Sequence, residues 1–152
     1  MTVTQSATIL LVEDSDDDVA LTLRAFRKAA IHNPMHVVND GDAALRYLHG
    51  GGGERARRPD ELPCLILLDL QLPGTSGLEV LRAIRSDPTT SLLPVVILTS
   101  SKEEQDLIEG YRLGANSYIR KPVDLQQFQD AVAQLGLYWL VVNEPPPATG
   151  AR

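Results

Sequence analysis

The chain has 152 residues, 43% of them hydrophobic and 22% charged, which suits one globular domain and excludes a fibre, a coiled rod or wholesale disorder. A net charge of −6 argues against nucleic-acid binding by bulk electrostatics, and the single cysteine, Cys64, can form no internal disulfide, which fits a reducing cytoplasm. There is no apolar run near the roughly 18 residues of a membrane span, and Met1 to Thr8 lacks the pattern of a secretory signal.

Ile9-Leu10-Leu11-Val12 predicts a first strand, ending in the acids Glu13 and Asp14. Ser15 reads as an N-cap, with Asp16, Asp17 and Asp18 suited to the positive end of a helix. Val19, Leu23, Phe26 and Ala30 give that helix one apolar face, and Asn33-Pro34 is expected to break it. Met35-His36-Val37-Val38 predicts the second strand, and Asp40-Gly41 the turn into a helix through Ala44, Leu45 and Leu48. The segment from Gly50 to Pro63 reads as one long loop, too polar and glycine-rich to pack. Cys64-Leu65-Ile66-Leu67-Leu68 is a continuous apolar run, as in a strand covered on both faces, and it ends at Asp69.

Leu78, Leu81 and Ile84 mark a third helix stopping near Asp87-Pro88. Pro94 to Leu98 predicts a fourth strand running into Thr99-Ser100-Ser101. Leu107, Ile108, Tyr111 and Ala115 mark a fourth helix before a short strand at Ser117-Tyr118-Ile119, with Lys121 just beyond. Leu125, Phe128, Val132 and Leu135 define the last helix. Residues 1–142 are thus expected to form one domain with an apolar extension from about residue 136, and 143–152 a disordered proline-rich tail.

Five short apolar strands alternating with five helices predict an α/β fold with parallel pairing and helices on both faces. The expected architecture is a flavodoxin-like doubly wound sheet in the order 2-1-3-4-5, with the site at the carboxyl ends of the strands. Glu13, Asp14, Asp69, Thr99 and Lys121 all fall at such ends. Singly, each is more often a solvated strand terminus; five together point to phosphoryl transfer onto a carboxylate. Clustered acids suit Mg²⁺, which takes oxygen ligands. A lysine offsets charge on the phosphoryl group, and the acid on the central strand, Asp69, is the candidate nucleophile.

The stretches Leu11-Val12-Glu13-Asp14, Leu67 to Gly77, Leu98-Thr99-Ser100 and Lys121-Pro122 resemble the response-regulator receiver domain of two-component signalling, over about Thr8 to Leu135. The resemblance implies a phosphoprotein in which Asp69 accepts a phosphoryl group from a phosphohistidine of a sensor histidine kinase. It implies Mg²⁺ held by Asp14, Asp69 and the backbone carbonyl of Gln71, with Glu13 acting mainly through water. Lys121 would pair with the phosphoryl group, positioned by a cis peptide before Pro122, and Thr99 with Tyr118 would form the switch. Read from its residues alone, Tyr118 is a half-buried sheet aromatic. Two features depart from the usual pattern or vary within it: Glu13 stands where aspartate is more usual, and Gln71 and Ser101 occupy the variable positions that influence hydrolysis.

Only about seventeen residues follow Leu135, too few for an output domain, so output is expected through protein contacts. The run Leu137 to Val142 either packs back on the domain or forms a partner surface; Tyr138, Trp139 and Leu140 are the candidates, with a homodimer the simplest form. The Val-Glu-Asp-Ser-Asp-Asp-Asp opening, the long loop and the Tyr-Trp-Leu ending resemble the regulators that partner bacterial phytochromes. A phosphorelay intermediate, a phosphate sink for another kinase and a phosphorylation-independent binding module remain alternatives. A phosphatase would place a second acid where Gln71 stands, and neither a Gly-x-Gly-x-x-Gly nor a P-loop motif follows the first strand. The protein is expected to be no enzyme beyond promoting its own phosphorylation and dephosphorylation. His32, His36 and His49 converge on nothing, and Arg55, Arg57 and Arg58 read as a solvated run.

Overall fold

In the computed structural model, which describes residues 7–121 and 124–146, the chain runs β1 (Ile9–Val12), α1 (Asp16–Lys28), β2 (Met35–Val38), α2 (Gly41–His49), β3 (Leu65–Leu68), α3 (Gly77–Ser86), β4 (Val95–Thr99), α4 (Glu104–Arg112), β5 (Ser117–Arg120) and α5 (Leu125–Leu137). All pairings are parallel and the order is β2-β1-β3-β4-β5, the expected flavodoxin-like α/β fold. None of the helices, among the described residues, is long and apolar enough to cross a membrane.

Successive side chains on a strand point to opposite faces, so each buried strand feeds two cores. Leu10, Val12, Ile66, Leu68, Val95 and Ile97 pack with Leu48, Leu81 and Ile84 on one face. Ile9, Leu11, Leu65, Leu67 and Val96 pack with Phe26, Phe128 and Val132 on the other. Double coverage explains why β1, β3 and β4 read as unbroken apolar runs.

Three local expectations are corrected. Helix α1 stops at Lys28, before Asn33-Pro34: Ala30 turns left-handed at φ 58°, and the N–H groups of Ala30 and Ile31 reach back to the carbonyls of Arg27 and Phe26. That closure satisfies the last carbonyls without proline or glycine, which is why no breaker signals it. On α4, only Gly110 is buried while Ile108 and Tyr111 face outward, and Ala115 lies past the helix end. The long loop is also ordered. Leu62 enters the core, Pro59–Glu61 makes a 3₁₀ turn, Arg55 pairs with Glu61 at 2.7 Å, and the Arg57 guanidinium sits 4.2 Å from the Tyr47 ring centre.

Beyond α5 the chain widens into a π-helical turn, Tyr138–Val142. Gly136 lets this end approach the loop after α1: a Cβ there would fall 2.1 Å from Ile31 Cδ1. Trp139 and Leu140 pack partly buried against the core beneath α1 and α5. Leu137, Tyr138 and Val142 remain 57%, 49% and 63% exposed. The apolar run therefore packs back on the domain in part and leaves part of its surface exposed. Of the expected tail, residues 147–152 lie outside the described residues.

Candidate functional site: an acidic rim closed by one lysine

The parallel register sets Val12 level with Leu68, and Thr99 level with Arg120, so the residues that follow meet at one edge of the sheet. Asp69 is 5% exposed and fully engaged. Its Oδ1 accepts from the Thr99 hydroxyl at 2.8 Å and the Gln71 backbone N–H at 3.0 Å. Its Oδ2 accepts from Lys121 Nζ at 3.0 Å. Lys121 also donates to Glu13 Oε1 and, at 2.9 Å, to Asp18 Oδ2. Glu13, 3% exposed, takes the Ser15 N–H on its other oxygen at 3.2 Å. All five rim residues expected from the sequence are together.

Burial works to raise the Asp69 carboxyl, but the Gln71 N–H, the Lys121 charge and the Thr99 hydroxyl outweigh it and hold the group below its ordinary value. Glu13 behaves oppositely. Burial dominates, the Asp69 charge adds to it, and the contact with Lys121 only partly offsets them, so its carboxyl is pushed up to about 7. Lys121 is raised despite its burial, because bonds to Glu13 and Asp18 and the neighbouring negative charges favour the ammonium.

Glu13, Asp14 and Asp69 each offer a carboxylate oxygen, all within 4.8 Å of one another, with Asp14 exposed at the mouth. Three hard oxygen donors open to solvent on one side fit a divalent cation that retains several waters. For Gln71, the group engaged is the backbone N–H on Asp69, while its side chain accepts from the Ser100 hydroxyl at 2.8 Å across the mouth. The Lys121–Pro122 peptide involves Pro122, outside the described residues.

Tyr118 is half-buried beside α4, and a Cβ on Gly110 would come within 3.3 Å of its ring. Its hydroxyl is buried without a hydrogen-bond partner among the described residues, and that burial raises its pKa. The nearby Ser101 hydroxyl donates instead to Asp106 Oδ2 at 2.6 Å.

Sequence reasoning missed two residues here. Asp18 was read only as a helix-end charge, though its place in the first turn of α1, above the end of β1, sets it over the same rim. Gly77 closes the stretch Leu67 to Gly77 with no role of its own in the sequence; as the first residue of α3 it lies so close to the Asp69 carbonyl that a Cβ would fall 2.3 Å away.

A parallel five-stranded sheet with an acid triad, a hydroxyl and a lysine at its carboxyl edge is the architecture expected of a receiver domain. The response regulator receiver domain model matches residues 9–133, and the chain belongs to that family. It is 39% identical over 140 residues to the probable methanogenesis regulatory protein FilR2 of Methanothrix harundinacea, covering 91% of this chain and 86% of that one. It is 38% identical over 141 residues to the response regulator Rcp1 of Synechocystis, covering 92% and 93%. The Mn²⁺-bound form of Rcp1 superposes with a TM-score of 0.82 at 36% identity, covering 91% of this chain and 98% of that one. The bacteriophytochrome response regulator RtBRR is 47% identical, with a TM-score of 0.72 and coverage of 97% and 90%.

Proposed function

We propose that this receiver accepts a phosphoryl group on Asp69 from a phosphohistidine of a sensor histidine kinase in the cytoplasm. The observation that carries the reading is the state of Asp69: a buried carboxylate kept ionised by three donors, beside a cation-ready acid pair. An Asp69 oxygen attacks phosphorus, the P–N bond breaks, and its electron pair stays on the imidazole nitrogen. Glu13, Asp14, Asp69 and the Gln71 carbonyl would hold Mg²⁺, which offsets charge on the transferring group when bound. Lys121, bonded to Asp69 and Glu13, supplies a second positive charge. Thr99, already bonded to Asp69, is placed to follow a phosphoryl oxygen, and Tyr118, whose hydroxyl has no partner to lose, turns into the space it leaves.

The likeness to RtBRR supports a bacterial phytochrome as the phosphodonor, with output through altered protein contacts. A homodimer through the C-terminal turn is part of this reading. Tyr138, with the exposed Leu137 and Val142, is its apolar edge, and Trp139 and Leu140 anchor the turn from beneath. The test is transfer from an autophosphorylated, radiolabelled bacterial phytochrome kinase. Label is expected on the wild type and none on Asp69→Asn; label on both contradicts the site, and label on neither contradicts the partner. Tyr138→Asp with Val142→Asp should give a monomer by light scattering, and an unchanged mass removes the dimer.

A further inference from the structure

The three ammonium protons of Lys121 are all spoken for. They go to Glu13, Asp18 and Asp69, and a lysine has no fourth donor. Glu13 and Asp69 belong to the site that gathers a cation and a phosphoryl group. Asp18 does not: it lies outside the acid triad and is the most exposed of the three acceptors, at 34% against 4% and 5% for the side chains of Glu13 and Asp69.

Asp18 is also rigidly mounted. It is the third residue of α1, its backbone N–H donates to the Ser15 cap at 3.3 Å, and the Ser15 N–H donates in turn to Glu13. One helical turn thus fixes both Glu13 and Asp18 relative to the end of β1. Lysine, by contrast, carries a flexible four-carbon stem whose head goes where its counter-charges are. When Asp69 becomes an acyl phosphate its own carboxylate charge is gone and the negative charge sits on the phosphoryl oxygens, and when a cation draws on Glu13 that acceptor weakens. Of the three protein acceptors of Lys121, Asp18 is then the one that neither event consumes.

We propose that Asp18 is a positioning residue for phosphoryl transfer, tethering Lys121 from outside the acid triad so that its ammonium meets the incoming phosphoryl group in a fixed place. The inference rests on the phosphoacceptor reading above. It predicts a sign opposite to simple charge counting. Removing a carboxylate near an anionic phosphodonor should speed transfer by weakening repulsion. Loss of a tether should slow it.

The experiment is the rate of phosphorylation by acetyl phosphate at saturating Mg²⁺, by intact mass, for wild type, Asp18→Asn, Asp18→Glu and Asp17→Asn. Asp17 carries the same charge on the same turn and is exposed, so its variant reads charge alone. Asp18→Asn is expected to slow transfer about tenfold, the rate equivalent of one charge-assisted hydrogen bond. Asp18→Glu should recover at least half of the loss on a logarithmic scale, and Asp17→Asn should match or exceed wild type. An Asp18→Asn rate at or above wild type, or equal slowing by Asp17→Asn, overturns the tether while leaving Asp69 as acceptor. A wild type that takes no phosphoryl group overturns both readings.

Discussion

Two cations are set into this protein at opposite edges of the sheet, and their partners differ in kind. Lys121, at the carboxyl edge, is held by three carboxylates. Arg85, at the amino edge, is held by neutral acceptors: the carbonyls of Ser91 and Leu93 at 3.0 and 2.8 Å, and from its other nitrogens the Gly114 carbonyl and Asn116 Oδ1. Burial lowers the Arg85 pKa with no opposing charge, whereas Lys121 is raised by its neighbours. Backbone carbonyls cannot change protonation or leave, so Arg85 braces the ends of β4 and β5 permanently. Carboxylates can bind protons, metal or phosphorus, so the Lys121 network can be redistributed. One edge is a fastening and the other a switch.

That contrast can be broken from either side. Lys121→Ala should slow phosphorylation by acetyl phosphate on the order of 100-fold, as expected for loss of one preorganised charge at a transition state, with cooperative unfolding retained; a change under about threefold would remove Lys121 from the chemistry. Arg85→Ala should do the reverse. It removes the side-chain donor from three backbone carbonyls and should destabilise by about 3 kcal/mol in denaturant unfolding, yet leave the phosphorylation rate of the folded protein near wild type.

Gly77→Ala couples stability to chemistry. Its Cβ would strike the Asp69 carbonyl and the Leu70 Cα, both backbone, so about 2 kcal/mol of destabilisation should accompany slower phosphorylation. Full activity would show that the backbone around Asp69 yields freely.

The smallest expected effect is on pH. Glu13 is raised to about 7 from an ordinary value of 4.5, so between these values the metal-free folded state holds a proton that the unfolded state has lost. Its stability should therefore fall as pH rises through that window. Mg²⁺, which needs the carboxylate, should bind more tightly at pH 8 than at pH 6 with release of a proton. Removal of both trends by Glu13→Gln would confirm the assignment, and their persistence would place the titration elsewhere.

The sheet order and the five rim residues were legible because both follow from short-range pattern: apolar runs too continuous for one-faced burial, each closing on a chemical group. Asp18 and Gly77 were not, since an acid in a first helical turn and a glycine opening a helix have ordinary local explanations. The role of Asp18 arises only when β1 and β5 end at the same edge of the sheet, and that of Gly77 only when the chain after β3 folds back on Asp69. The early stop of α1 at Lys28 and the outward face of α4 escaped for a related reason, because propensity and periodicity describe a helix without its neighbours. Exposed Ile108 and Tyr111 beside the half-buried Tyr118 show an apolar stripe that the domain's own core does not claim.

The central claim is that Asp69 is the phosphoacceptor, and intact mass after incubation with acetyl phosphate and Mg²⁺ tests it most directly. Wild type should gain a single phosphoryl group that alkaline hydroxylamine removes, as an acyl phosphate requires, and Asp69→Asn should gain none. A hydroxylamine-resistant adduct, or the same gain in both proteins, would contradict the account.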